Sequence, residues 1–368
     1  MGPELEIALI AIVVSVACVI PGVFLVLRGM ALMSDAISHA ILLGIVVMFF
    51  IFKDLDSPWL IMGASLAGLL TVALTELIIK TKRLKQDAAI GLVFPVFFSI
   101  GVILISRFAS KVHLDTDAVL LGELAFAPFH RFYWQGLDLG PISLWMMGGI
   151  MCLNLVLVTV FYKELKVATF DQALASSLGF SPVVIHYGLM SVTSITAVGA
   201  FDAVGSILVV ALMITPPATA FLLTKRLSVM IGLSILFGAI SAIAGGAVAI
   251  MIDGSIAGCM ATMTGLLFIG VLFLEPEKGI LAMMLRRKRH RLEFSAQLLG
   301  VQLLSHEGTE KESVENTFSN MTTHMEWSKA FAHRVTQFSI QKSWIDRKGN
   351  KLTLTPLGRE IAKSTMVN

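Results

Sequence analysis

Nine long runs of uncharged, mostly apolar residues dominate this sequence of 368 residues. As helices rising ~1.5 Å per residue, such runs can cross a hydrocarbon layer about 30 Å thick. Inside lipid every backbone polar group needs a partner within the protein, and a helix supplies those partners within one segment. The sequence therefore predicts an all-α polytopic membrane protein with about eight or nine transmembrane helices. The runs cover residues 7–27, 36–52, 57–75, 88–106, 142–162, 183–201, 203–224, 227–252 and 255–274.

The composition excludes an ordinary soluble enzyme. Hydrophobic residues make up 56% of the chain and charged residues 14%, whereas soluble domains average roughly 45–50% and about 25%. Three cysteines, Cys18, Cys152 and Cys259, lie in apolar runs without paired spacing, which predicts neither a disulfide framework nor a thiolate metal site. The net charge of +3 is too small to indicate a nucleic-acid partner.

The basic residues between the runs predict the orientation of the chain. If each intervening run crosses the membrane once, all four basic groups fall on one side, and basic loops mark the cytoplasmic side. The N-terminus and the long connection from Arg107 to Gly140 then lie outside. The four groups are Lys80 to Lys85, Lys163 with Lys166, Lys225 with Arg226, and Arg286 to Arg291.

The composition changes from about Leu292, after which charged and amide side chains are frequent and no spanning run occurs. We therefore divide the chain into a transmembrane domain, residues 1–290, and a small cytosolic α+β domain, residues 291–368. In the second domain two β-prone runs flank residues 348–350, and Thr355 followed by Pro356 is a typical helix start. This order resembles the wing and the following helix of a winged-helix domain.

The winged-helix-like domain has a nearly balanced charge. Residues 293–368 contain nine basic and eight acidic side chains, a net charge of +1. DNA-binding domains have a stronger basic footprint. A role in dimerisation or regulation is therefore favoured over DNA binding.

Asp35 and His39 form the strongest candidate for an ion site. Their spacing places both on one face of a helix, where a carboxylate and an imidazole can bind one cation. Ionisable groups are costly in a transmembrane helix and usually face a pathway or a partner. Two ligands do not complete a divalent-cation shell, but a symmetric dimer would supply four. The alternative is that Asp35 caps the helix and His39 makes one packing hydrogen bond.

The ligand types limit the choice of metal. Carboxylate and imidazole without thiolate suit manganese, ferrous iron or zinc, and disfavour copper(I). Because such ligands do not reject zinc in favour of manganese, selection would come from geometry or from a delivering partner.

The segment Glu164–Pro182 lies on the predicted cytoplasmic side. Asp171 can cap a short helix there and Gly179 can end it. Leu174 and Leu178 would share its apolar face. Such a helix between two spans can dock a cytosolic partner or rest on lipid headgroups, and the spacing fits both.

Thr215, Pro216 and Pro217 interrupt the run at residues 203–224. Adjacent prolines remove backbone donors, which kinks or breaks a helix and frees carbonyl groups, and a plain kink is favoured. Weaker candidates have simple structural interpretations. Glu76 and His186 are interpreted as boundary residues of their spans, and the stretch at 112–117 as a solvated loop.

No catalytic motif occurs. The sequence lacks GxxxxGK[ST], HExxH and GxSxG, so we expect neither enzymatic activity nor nucleotide hydrolysis in this chain. Energy for pumping would come from a partner or from an ion gradient.

Five blocks, taken in order, resemble the permease subunits of ABC-type manganese, zinc and iron uptake transporters. The resemblance covers about residues 5–280, and the C-terminal extension departs from the usual pattern of these permeases. Five ordered blocks are far more specific than any one of them. The blocks are Met33–Ile41, Gln86–Phe94, Leu120–Leu124, Thr169–Gly179 and Thr215–Ala220.

The resemblance implies a homodimeric or heterodimeric pair of permeases, cytosolic ABC ATPases that bind ATP, and an extracytoplasmic metal-binding protein, all at a bacterial inner or cytoplasmic membrane. It implies that Asp35 and His39 line the path of the metal, and that the coupling helix on the ATPase comprises Phe170–Gly179, including Leu174 and Leu178. The cargo would be a divalent manganese, zinc or iron ion, with manganese favoured, and no permanently bound cofactor is expected.

Two other functions stay open at this point. The first is a membrane-tethered, metal-responsive transcriptional regulator, which the nearly neutral C-terminal domain disfavours. The second is a secondary metal transporter coupled to protons through Asp35 and His39. That transporter would need no ATPase partner.

Overall fold

The computed structural model describes residues 2–53, 57, 59–108, 124–134, 137–276 and 279–367. The chain forms two compact units, Met1–Leu272 and Phe273–Asn368. In the first unit the described residues are mainly helical. In chain order its helices are α1 (Pro3–Leu27), α2 (Leu32–Phe52), α3 (Trp59–Lys80), α4 (Gln86–Phe108), α5 (Ile142–Val160), α6 (Tyr162–Phe170), α7 (Gln172–Ser177), α8 (Pro182–Val204), α9 (Ser206–Leu223), α10 (Leu227–Ile252) and α11 (Ile256–Leu274).

Among the described residues, nine helices are long and apolar enough to cross a membrane. They are the helices α1 to α11 without the short α6 and α7, and they match the nine runs of the sequence one by one. The predicted all-α polytopic fold is therefore confirmed. Several limits differ: α1 begins at Pro3 rather than at residue 7, α3 ends at Lys80 rather than at residue 75, and α2 begins at Leu32 rather than at residue 36. The Ser34 hydroxyl donates to the Ala31 carbonyl at 2.9 Å, which allows this polar residue to be buried in the first turn.

The central helix of the first unit is α1. It packs against α5, α8, α9 and α10, and Ile10, Ile20 and Phe24 along its length are fully buried. A helix that is apolar on all sides lies in the interior of a bundle. The other spans therefore assemble around α1.

Helices α1 and α9 approach each other closely at Gly22. A Cβ atom at this position would lie 2.1 Å from the carbonyl oxygen of Met213. That carbonyl precedes Pro217 by four residues and, since proline has no N–H, it lacks its usual helical donor. Small residues let two membrane helices meet backbone to backbone, and Gly22 does so here.

Helix α2 forms a second packed group with α3 and α4. A Cβ atom on Gly44 of α2 would lie 2.2 Å from the carbonyl oxygen of Gly63 on α3. The two backbones are again in contact because neither residue has a side chain. This contact fixes the rotation of α2, the helix that carries Asp35 and His39.

A buried asparagine ties three spans together. Asn154 of α5 is 1% exposed, and its Nδ2 donates both to the Ala17 carbonyl of α1 and to Thr196 Oγ1 of α8, each at 2.9 Å. Hydrogen bonds of this kind between membrane helices contribute roughly 0.6–1.7 kcal/mol. The hydrogen bonds of Asn154 therefore fix the relative orientation of α1, α5 and α8, which apolar packing alone specifies less closely.

Between α4 and α5 the described residues form a 3₁₀ turn, Ala127–Phe129, and an antiparallel hairpin of β1 (Arg131–Trp134) and β2 (Leu137–Pro141). Arg131 donates from Nη2 to Glu6 Oε1 of α1 and from Nε to Asp138 Oδ1, both at 2.9 Å. The Gly140 amide and the Arg131 guanidinium hold the pKa of Asp138 below its ordinary value. These contacts anchor the start of α1 to the hairpin.

The second unit combines helices with a two-stranded hairpin. Gly349 makes the turn at φ +64°, and Thr355 Oγ1 accepts from the Gly358 amide at 3.0 Å at the start of the last helix. The strands and the capped helix predicted here are confirmed, and the winged-helix identity stays a prediction. The elements are α12 (Ile280–His306), α13 (Glu312–Glu315), α14 (Phe318–His324), α15 (Lys329–Gln341), β3 (Ile345–Lys348), β4 (Lys351–Leu354) and α16 (Pro356–Val367).

The second unit has an apolar core of its own, built from α12, α15 and the hairpin. Helix α12 is continuous through residues 290 and 291, so the boundary inferred from composition falls inside a helix. The domain limits 1–290 and 291–368 stay a prediction. The buried core residues are Ala296, Leu299, Leu303, Ala332, Val335, Ile345, Leu352 and Leu354.

We predict that Gly22→Ala lowers the stability of the detergent-solubilised protein. The added methyl group would meet the Met213 carbonyl, a backbone group that cannot rotate away, and overpacking of this kind costs about 1–3 kcal/mol. The measurement is the melting temperature, followed by size-exclusion chromatography after heating. Gly149→Ala is the matched control, since among the described residues no atom lies within 4 Å of its added Cβ. Equal melting temperatures for the two variants would contradict the prediction.

We predict that Leu352→Ala destabilises the second unit alone. Leu352 is fully buried, and such a truncation costs about 2–5 kcal/mol. Limited proteolysis of the full chain should then cut residues 280–367 several-fold faster and leave the spanning helices intact. Leu357→Ala, which truncates an exposed leucine of α16, is the control. If both variants are cut at the same rate, the packing described for Leu352 is wrong.

Candidate functional site

Asp35 and His39 lie one turn apart on α2. His39 Nε2 is 3.3 Å from Asp35 Oδ1. The Asp35 side chain is 37% exposed and the His39 side chain 29%, although most of their neighbours in this half of α2 are buried. The structure therefore brings the two predicted ligands together on one accessible face.

Two phenylalanines of α4 hold the imidazole of His39. Its ring lies 5.6 Å from the ring of Phe94 in a stacked arrangement and 5.8 Å from the ring of Phe98 in an edge-to-face arrangement. Aromatic rings at these distances favour defined relative orientations. The nitrogen that faces Asp35 is therefore kept in place by packing as well as by the carboxylate.

The serines beside the pair bond to their own helix. Ser34 and Ser38 are buried, and their hydroxyls donate to the Ala31 and Ser34 carbonyls, each at 2.9 Å. The N-cap of α2 is Ala31, without a side-chain cap. Asp35 does not occupy the cap position, and its carboxylate is directed toward His39.

One chain supplies only part of a metal shell. Across the described ranges, no three or more His, Cys, Asp or Glu side chains are grouped so that they could hold a metal ion. Divalent transition metals take four to six donors. The Asp35–His39 pair offers one carboxylate and one imidazole, so further ligands would have to come from solvent or from a second chain.

The segment predicted to dock a partner forms helices α6 and α7. Asp171 caps α7, with its Oδ1 accepting from the Leu174 amide at 2.9 Å. Gly179, at φ +87°, follows the end of α7, and the Phe180 amide donates back to the Ala175 carbonyl at 3.0 Å. The N-cap of α7 at Asp171 and the glycine that ends the helix, Gly179, are the residues that the sequence predicts.

The apolar side chains of this segment are turned outward. Phe170 is 60% exposed, Leu174 48% and Leu178 57%. Exposed apolar side chains grouped in this way mark a contact with a partner or with lipid. The structure thus leaves these three side chains accessible on the surface of the single chain.

Helix α9 continues through Pro216 and Pro217, both of them buried, so this run is not a broken helix. The Thr219 hydroxyl donates to the Thr215 carbonyl at 2.7 Å. Bonds of this kind often bend a helix, and the kink at Thr215–Pro217 stays a prediction. The freed Met213 carbonyl is the group that meets Gly22.

A second polar cluster, the Arg28 network, comprises Arg28, Glu76, Thr169, His186 and Tyr187. Arg28 donates from Nε to Thr169 Oγ1 at 3.3 Å and from Nη1 to His186 Nδ1 at 3.1 Å. His186 Nε2 pairs with Glu76 Oε1, and the Tyr187 hydroxyl donates to Glu76 Oε2 at 2.7 Å. The network joins the end of α1 to α3, α6 and α8.

Sequence reasoning treated Glu76 and His186 as separate boundary residues and missed this network. Strict alternation of the spans places the end of α1, the end of α3 and the start of α8 on one side of the membrane. That alternation was the available signal. Alternation alone could not show which of these residues meet, because His186 is 158 residues from Arg28 and 110 residues from Glu76 in the sequence.

Two stretches discussed above lie outside the described residues. One is the stretch at 112–117, interpreted as a solvated loop. The other is the block Leu120–Leu124, of which only Leu124 is described.

The chain is similar to proteins of known kind over most of its length. The ABC 3 transport family model matches residues 5–275. The zinc transport system membrane protein TroD of Treponema pallidum is 48% identical over 362 residues, which cover 98% of each chain. The manganese transport system membrane protein MntD of Bacillus subtilis is 44% identical over 286 residues, 78% of this chain and 97% of MntD.

A solved structure agrees with these matches. PsaBC from Streptococcus pneumoniae, in complex with Fab, aligns with a TM-score of 0.64 and 30% identity over 77% of this chain and 96% of that chain. The family model covers the nine spanning helices almost completely, and two relatives share more than two-fifths of their aligned residues with this chain. The chain therefore belongs to the ABC 3 transport family.

Proposed function

We propose that this chain is the transmembrane permease subunit of an ATP-driven importer of divalent transition-metal ions. The observation that carries the proposal is the Asp35–His39 pair, 3.3 Å apart on the accessible face of an apolar helix. Two ionisable groups in a spanning helix are costly unless they serve a path or a partner. The family match and the zinc and manganese systems named for TroD and MntD support the same chemistry.

A second permease subunit would complete the metal shell. A two-fold axis beside α2 would bring two carboxylates and two imidazoles to one ion, within the four to six donors that such ions take. The exposure of Asp35 and His39 in the single chain supports this arrangement, because a partner would cover both. A heterodimer serves equally if its other subunit carries an equivalent pair.

Carboxylate and imidazole ligands suit manganese, zinc and ferrous iron alike. We propose manganese as the favoured cargo, with zinc or iron as alternatives. Since the ligand types bind zinc readily, an extracytoplasmic metal-binding protein that delivers one ion would set the choice.

ATP would be bound and hydrolysed by a separate cytosolic ABC ATPase, because the chain has no phosphate-binding motif. The exposed Phe170, Leu174 and Leu178 would seat α6 and α7 on that ATPase. Closure of the ATPases would then rock the paired permeases and release the metal inward.

The protein would reside in a bacterial inner or cytoplasmic membrane, with the basic loops and the second unit in the cytoplasm. The loops around Lys80–Lys85 and Lys225–Arg226 support this orientation. The second unit, with its hairpin and capped helix, would act as a winged-helix module in dimerisation or regulation. Residues 293–368 of this unit carry a net charge of +1, which argues against DNA as a partner.

We predict that Asp35→Asn and His39→Ala each abolish ATP-dependent metal uptake. Each change removes or weakens one metal donor. Loss of a mere hydrogen-bond partner of a metal ligand already costs about 10–100-fold, so a loss of at least about tenfold is expected here. The measurement is uptake of manganese, zinc and ferrous iron, each in turn, in vesicles carrying the chain with its ATPase and binding protein.

Glu4→Gln is the control, since Glu4 is an exposed carboxylate in the first turn of α1. Both site variants should still co-purify with the ATPase. Undiminished uptake in them would remove the ion site from Asp35 and His39. Uptake without ATP in the wild type would favour a proton-coupled transporter.

We predict that Leu174→Ser combined with Leu178→Ser weakens association with the ATPase. The change removes two exposed apolar side chains and leaves the Asp171 cap intact. Co-purification and ATP hydrolysis per complex should both fall several-fold, because buried apolar anchors dominate interface energetics. Val229→Ser, an exposed position in the first turn of α10, is the control. Equal ATPase recovery from both variants would indicate that the segment contacts lipid.

A further inference from the structure

The Arg28 network places the ring of His186 between a guanidinium and a carboxylate. A guanidinium can only donate, so His186 Nδ1 must accept the bond from Arg28 Nη1, at 3.1 Å. The ring proton then resides on Nε2, which faces Glu76 Oε1. The Tyr187 hydroxyl donates a hydrogen bond to the other carboxylate oxygen, Glu76 Oε2, at 2.7 Å. Arg28, His186 and Glu76 therefore lie in one line of polar contacts, a hydrogen bond between Arg28 and His186 and an ion-pair contact between His186 and Glu76.

Several buried polar atoms in and beside this network lack a hydrogen-bond partner among the described residues. These atoms are Arg28 Nη2, His186 Nε2 and Glu164 Oε2. Glu164 lies on α6, the helix that Arg28 already contacts through Thr169. A buried ionic network with unused donors and acceptors contributes little net stability. Stability alone therefore gives a poor account of Arg28.

Arg28 is placed between two elements that the proposed transport cycle must connect. On one side it bonds Thr169, which immediately precedes Phe170 and the Asp171 cap. On the other side it starts the turn that leads from α1 into α2. Gly29, at φ +68°, and the Met30 amide, which donates to the Leu25 carbonyl at 2.8 Å, close that turn tightly.

The turn ends in the first turn of α2, where the Met33 amide donates to the Met30 carbonyl at 3.0 Å. Asp35 lies two residues further on. A displacement of the guanidinium would therefore be carried through a short, hydrogen-bonded stretch to the carboxylate, without an intervening flexible loop.

We propose that Arg28 is a positioning residue that couples movement of the α6–α7 segment to the position of the Asp35–His39 pair. The inference rests on the proposed function, since it assumes that this segment meets an ATPase and that the pair meets the metal. Arginine suits the role because its planar fork holds Thr169 and His186 at fixed angles, whereas a lysine offers a single flexible point charge.

The experiment uses the full chain assembled with its ATPase and binding protein in proteoliposomes. Arg28→Gln and Arg28→Lys are compared with the wild type and with Arg83→Gln, an exposed arginine of the loop between α3 and α4. The first readout is manganese transported per ATP hydrolysed. The second is hydrogen–deuterium exchange of the backbone amides from Gly29 to Asp35, with and without ATP.

We expect Arg28→Gln to lower manganese transported per ATP by about fivefold or more while the ATPase stays bound, a typical size for lost coupling between sites. The ATP-dependent change in exchange at Gly29–Asp35 should be lost in this variant and kept in Arg83→Gln. Arg28→Lys should recover part of both readouts.

A purely structural role gives a different pattern. Protein yield, ATP hydrolysis and uptake would then fall together, with the uptake per ATP and the exchange change both as in the wild type, and that result would overturn the proposal. If the wild type transports no metal but Arg28→Gln still abolishes the ATP-dependent exchange change, the proposed cargo is wrong and the coupling stands. If the exchange change persists in Arg28→Gln, the coupling falls.

Discussion

The backbone of α1 is the constraint on which the rest of the first unit depends. Surrounded by α5, α8, α9 and α10, it presents mostly apolar side chains, and its own hydrogen bonds satisfy the backbone except at the Ala17 carbonyl, which Pro21 leaves without a helical donor. Lipid offers no hydrophobic drive for helix association, so contact geometry decides which neighbours α1 accepts. Gly22 against the Met213 carbonyl and Asn154 against the Ala17 carbonyl supply that geometry. In both contacts one of the two partners is a backbone carbonyl group.

The spans, the caps at Asp171 and Thr355 and the turn at Gly349 are local features, and the sequence predicts them because their causes lie within a few residues. The Asp35–His39 pair is local for the same reason, being one helical turn in length. The Arg28 network depends on how four helices pack against one another, and no local pattern encodes that packing. The orientation of His39 between Phe94 and Phe98 is a tertiary property of the same kind.

Polar groups in the first unit are arranged in two ways that differ in their consequences. One group consists of hydroxyls that donate hydrogen bonds to carbonyls of their own helices. Their burial therefore costs little, and their protons are not available to a ligand. These hydroxyls belong to Ser34, Ser38 and Thr219. Asp35 and His39 instead remain partly exposed on a helix whose neighbouring residues are covered. Two ionisable side chains left accessible in an apolar span are costly unless they face a pathway or a partner. Membership of the ABC 3 transport family agrees with that property.

The separate core of the second unit bears on how such chains diversify. Among the described residues, the buried members of this core come from α12, α15 and the hairpin, and none of them lies in a spanning helix. TroD aligns across this unit, whereas almost the whole of MntD is accounted for by 286 aligned residues, 78% of this chain. A module with a closed core can be gained or lost by recombination without reopening the packing of the membrane bundle. Lineages can thus gain or lose a C-terminal module in a single genetic event.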